Sequence, residues 1–87
     1  MEKIKEIVQE KTKLLLQIFD VEEGYDIEIK EDTLKGLYID IIPQSEEVAK
    51  KLIGKGGKVA DLCRAILKKV GNRYGSNIYY LIKKYNA

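Results

Sequence analysis

Leu52-Ile53-Gly54-Lys55-Gly56-Gly57-Lys58 sets three glycines within four residues. In a helix interior each glycine costs about 1 kcal/mol relative to alanine, so the run interrupts any helix that enters it. A helix does enter. Ser45 is a good N-cap, and Glu46 and Glu47 fall in the first turn, where their charge opposes the positive end of the helix dipole. The spacing predicts a short helix over roughly 46–53. Helical period resumes beyond the glycines with Val59, Leu62, Cys63, Ile66 and Val70, while Lys58, Asp61, Arg64, Lys68 and Lys69 lie largely on other faces. Two helices therefore flank a glycine turn.

Toward the N-terminus, Pro43 closes Leu37-Tyr38-Ile39-Asp40-Ile41-Ile42, an almost uniformly apolar run that reads as the central strand of a sheet. Before it, Tyr25, Ile27 and Ile29 alternate with Asp26, Glu28 and Lys30, the two-residue period of a strand with one wet face. Glu31-Asp32-Thr33 and Gly36, around Lys35, supply the turn chemistry that joins the two as a hairpin. Ile4, Ile7, Val8, Leu14, Leu15 and Ile18 recur at three-four spacing, predicting an amphipathic helix over about 3–20 that ends before Gly24, with the Lys11 stem lying along its seam. Toward the C-terminus, residues 70–77 read as a loop by composition and Ile78-Tyr79-Tyr80-Leu81-Ile82 as a final strand before a lysine-tipped end. The order is α-β-β-α-α-β, an α+β class.

Glycines let a backbone approach another molecule closely, since no Cβ shields the amides. A helix also starts at this turn, and its unpaired N–H groups and positive dipole end favour an anion such as phosphate. Lys55 and Lys58 add mobile positive charge on either side. Other phosphate loops fit poorly. A Walker A motif ending at Lys58 needs glycine at 52 and Ser or Thr at 59, where this chain has Leu52 and Val59. A dinucleotide fingerprint starting at Gly54 fails at Val59 as well, and no strand immediately precedes the turn.

The stretch Leu52 to Lys58 resembles the hydrophobic-Ile-Gly-x-x-Gly signature of KH domains, and the element order resembles that of the type II subclass. Residues Ile53 to Leu67 are most similar to small RNA-binding proteins made of one KH domain. The resemblance implies a type II KH fold over residues 1–87, with a minimal KH core at about 36–83. It further implies a three-stranded mixed sheet, the second strand in the middle and three helices on one face. Gly54, Lys55, Gly56 and Gly57 would clamp the backbone of about four nucleotides beside an apolar base groove, with Lys58 next to them. Ile53 would be chiefly core, and Val59 and Ala60 would line the near wall of the groove, although many KH domains carry a larger aliphatic residue where Ala60 stands. Arg73 and Tyr74 fall in the family's variable loop, where a guanidinium and an aromatic ring can stack on bases. Loop anchoring is the plainer role for Tyr74. Lys50 and Lys51 extend the phosphate track or are simply solvated.

Charge agrees with a polyanionic partner. Net charge is only +2, but residues 1–43 hold six lysines against eleven acids, while residues 44–87 hold ten cations against Glu46, Glu47 and Asp61. Clustered cations gain by displacing counterions from phosphates. The expected partner is single-stranded RNA, or single-stranded DNA, with no membrane and no cofactor, in the cytoplasm. A homodimer or a larger ribonucleoprotein assembly fits the same surface. The rival reading is a KH-fold protein-interaction or dimerisation module within an RNA-processing or transcription assembly, its groove receiving a peptide.

Eighty-seven residues support one core, because so short a chain buries only about 60–65% of its unfolded surface. The apolar runs are short, so neither a signal peptide nor a membrane span is expected. The lone Cys63 sits on an apolar stripe, where an inert buried thiol is expected, and no histidine is present to ligate zinc. No acid pair accompanies a nucleophile near the turn, so the chain is not expected to be an enzyme.

Overall fold

The structure, a computed structural model, describes residues 2–86. Its elements follow in the order α1 (Glu2–Ile18), β1 (Tyr25–Asp32), β2 (Gly36–Pro43), α2 (Glu46–Ile53), a 3₁₀ turn (Lys55–Gly57), α3 (Lys58–Arg73) and β3 (Ile78–Ile82). The strands form one mixed sheet in the order β1-β2-β3. β1 and β2 pair antiparallel from Tyr25↔Pro43 to Asp32↔Gly36, and the hairpin turn is held by the Asp32 carboxylate, which accepts from the amides of Leu34 and Lys35. β3 pairs parallel with β2, from Leu37↔Ile78 to Ile41↔Ile82. A parallel neighbour requires a long crossover. Here α2, the turn and α3 make that crossover, so the glycine turn lies midway along the connection.

Alternation sorts the strands into two faces. Leu37, Ile39, Ile41, Ile78 and Tyr80 pack with Val8, Leu15, Leu16, Leu52, Cys63 and Leu67 of the helices into one core. Burying a side chain such as Leu52 or Leu67 contributes about 2 kcal/mol. On the other face, the Tyr38 and Tyr79 rings stack at 4.8 Å, and Lys30 and Lys83 reach Asp40 from either side at 3.7 and 3.8 Å. The Ser45 hydroxyl accepts from the Val48 amide at 3.2 Å, capping α2 at the residue the sequence marks.

Three local expectations need correction. The buried seam of α1 runs through Val8, Thr12, Leu15 and Leu16, leaving Leu14 55% and Ile18 72% exposed. Thr12 enters the core because its hydroxyl donates to the Val8 carbonyl at 2.7 Å and so needs no water. Second, α3 continues through Gly71 to Arg73, so the loop begins at Tyr74 rather than Val70. Gly71 is buried where a Cβ would stand 2.4 Å from the Ser76 carbonyl oxygen, so its missing side chain permits close packing and does not break the helix. Third, Leu62 and Ile66 are 51% and 41% exposed, because Cys63 and Leu67 occupy the core-facing line of α3.

Candidate nucleic-acid interface

Gly54 ends α2: its amide donates to the Lys50 carbonyl at 2.8 Å, and its φ of +77° lies in the region that favours glycine. A Cβ here would stand 2.4 Å from Val59 Cγ2, so the two helices close on one another through this residue. The Gly57 amide donates to the Gly54 carbonyl at 3.1 Å and the Lys58 amide to the Lys55 carbonyl, which winds one tight turn. Gly56 and Gly57 adopt φ of +63° and +75°, and nothing lies within 4 Å of a Cβ built on either. Lys55, Gly56 and Lys58 are exposed. Among the described residues, no backbone or side-chain group accepts from the amides of Lys55 and Gly56. No side chain caps the start of α3 either, since its N-cap is Gly57. The turn is an outward-facing set of bare donors with a lysine at each end.

Two shallow hollows lie at the two ends of β3, and only the first is lined by a residue next to the turn, Ile53. One, of about 350 Å³, is bounded by Glu46, Ala49, Lys50 and Ile53 of α2 and by Ile82, Lys83, Lys84 and Tyr85, so a single carboxylate shares it with three lysines. The other, of about 410 Å³, lies between Arg64, Lys68 and Asn72 of α3 and residues 77–80. Arg64 reaches across to the strand: its Nε donates to the Tyr80 carbonyl at 3.2 Å and an Nη to Asp61 at 3.0 Å. The floor beneath is closed. Burial pushes the Cys63 thiol up, and Tyr80, whose buried hydroxyl has only the Cys63 thiol near it and no well-formed hydrogen bond among the described residues, is held well above the ordinary tyrosine value by burial and by that thiol.

Placement of the residues singled out by sequence is uneven. Gly54, Lys55, Gly56, Gly57 and Lys58 come together as one open seat. Val59 is half-buried against Gly54 and Ala60 only 7% exposed, so both support the turn from beneath and offer little wall. Ile53, expected in the core, is 44% exposed, because Leu52 fills the core position and Ile53 turns onto the α2–β3 hollow. Lys50 borders that hollow. Lys51 instead faces Asp20, Glu22, Glu23 and Glu47, away from any phosphate track. Arg73 and Tyr74 stand at the far end of α3, about 24 Å along the helix from Gly57. Sequence reasoning gave no site role to Lys83, Lys84, Tyr85 or Arg64, which the parallel pairing of β3 brings beside α2 and α3. The lysine-tipped end was the signal available for the first two.

Electrostatically, Lys50, Lys55, Lys58, Lys68, Lys69 and Arg73 have no acidic partner among the described residues, and Arg64 pairs only with Asp61. Comparison with family models, curated proteins and solved structures finds no match. Among the described residues, no group of three or more acidic, cysteine or histidine side chains is placed to hold a metal ion, and no helix is long and apolar enough to cross a membrane.

Proposed function

We propose that this chain is a single-stranded nucleic-acid-binding module of the type II KH kind, most similar to small single-KH-domain RNA-binding proteins, with RNA the favoured ligand. Gly54 to Gly57 grip the sugar-phosphate backbone, Lys55 and Lys58 neutralise it, and bases lie toward the apolar hollow at Ile53, Ala49 and Ile82. The resemblance of residues 52–58 to the family signature supports this reading. One structural observation carries it: the turn stands open to solvent with two left-handed glycines, unpaired amides and unpaired lysines. Had the hinge been packed beneath other side chains, the reading would fail. A helix start and bare amides favour an anion by charge and geometry together.

Exposed Leu14, Ile18, Leu62 and Ile66 favour a second reading, a protein-interaction or dimerisation module. Titration of short unpaired RNA and DNA oligomers at two salt concentrations separates the two. Binding that weakens as salt rises supports the first. No binding, together with a stable dimer in solution, supports the second.

A further inference from the structure

Helix α3 carries cations on both flanks, and only one flank faces the hollow beside β3. On the other, Lys11 of α1 meets Lys69 and Arg73 of α3 around a hollow of about 200 Å³ floored by Ile66 and Val70 and rimmed by Tyr74. No acid lines it, and none of the three cations has an acidic partner among the described residues. Three like charges drawn from two helices line one hollow, so an anion placed there is attracted by all three. The Tyr74 ring, 39% exposed, stands at the rim where a base can stack.

We infer that this hollow is a second seat for the same single strand, holding phosphates on Lys11, Lys69 and Arg73 and a base on Tyr74. The inference rests on the proposed function. The clamp holds about four nucleotides. A longer strand passes Asn72 and Asn77 in the hollow between α3 and β3, rounds the loop after α3 and enters the second hollow, so the footprint exceeds the clamp alone.

The test compares a four-nucleotide and a twelve-nucleotide unpaired RNA. Three added phosphate contacts steepen the salt dependence of the twelve-mer by about 2 in log K against log salt, roughly an eighteenfold further loss between about 50 and 200 mM. K69E/R73E, both at exposed positions, removes the twelve-mer's advantage and leaves the four-mer unchanged. K11E, on a separate helix, acts in the same direction, and Y74A weakens the twelve-mer by about fivefold or more. K3E/K30E, matched in charge, with Lys3 at the start of α1 and Lys30 on β1 at the sheet edge opposite β3, leaves the twelve-mer within about twofold. A K69E/R73E protein that keeps the full advantage, or a K3E/K30E protein that loses as much, overturns the second seat. Failure of the four-mer to bind the wild-type protein instead sinks the clamp. The twelve-mer's response to K69E/R73E then still decides the hollow. A ten-residue glutamate peptide that binds more tightly than the twelve-mer, with sensitivity to K69E/R73E, assigns the hollow to an acidic peptide and overturns the proposal.

Discussion

Replacing Lys55 and Gly56 together by aspartate, K55D/G56D, separates binding from folding. Gly56 has φ +63° and ψ +20°, a left-handed conformation that aspartate visits more readily than most residues, and among the described residues no atom beyond its chain neighbours lies within 4 Å of the new Cβ. Lys55 is exposed and has no acidic partner among the described residues. The structural cost is about 1 kcal/mol, small against the roughly 5–15 kcal/mol that holds a typical domain together. At the seat, the charge falls by three units. A phosphate at about 5 Å interacts with each unit by about 0.8 kcal/mol in bulk water, and a less polar surface strengthens this. Three units come to at least about 2.5 kcal/mol, or about seventyfold in Kd. The slope of log K against log salt falls by about 0.7 for the one lost cation. Fluorescence anisotropy with a labelled unpaired RNA reads the affinity, and a circular-dichroism melt reads the fold. A variant that melts normally yet binds within about threefold of the wild-type protein refutes the site.

G54A forces a side chain onto Val59 at positive φ, and the strain and overlap together destabilise the protein by about 3 kcal/mol in urea unfolding, with RNA affinity lost as α2 and α3 separate. S45A removes the cap on the Val48 amide and costs about 1 kcal/mol in the same assay, without changing the salt slope of binding. Tyr80 has its folded pKa raised, so its neutral form is favoured by the fold: that stability is complete below the unfolded value of about 10 and is lost as pH rises from there toward the folded value. Y80F, which removes a buried hydroxyl with no well-formed hydrogen bond among the described residues, melts no lower than wild type at pH 7 and keeps more of its stability above about pH 10.

Local signals were legible wherever one residue type has one use. Ser45 and two glutamates marked the start of α2, three glycines marked its end, and strict alternation in β1 fixed which side chains are wet. Faces were harder to read. Hydropathy puts Leu14 and Ile18 on the α1 stripe, but Thr12, its hydroxyl bonded to the Val8 carbonyl, and Leu16 are buried while Leu14 and Ile18 stay exposed. Gly71 looked like a breaker because the carbonyl of Ser76, which demands its missing side chain, comes from a later segment. The same limit governed the candidate site. Its clamp is contiguous in sequence and was visible there. The Lys11–Lys69–Arg73 hollow and the pairing of Lys50 with Lys83 and Lys84 depend on how α1 and β3 dock, which no window of residues contains.

Amide-by-amide chemical-shift mapping during titration with an unpaired RNA addresses the nucleic-acid assignment most directly. The largest displacements should fall on the Lys55 and Gly56 amides and on the first turn of α3, shrinking as salt is added. Displacements confined to the exposed leucines of α1 and α3, with the glycine amides unmoved, would contradict it.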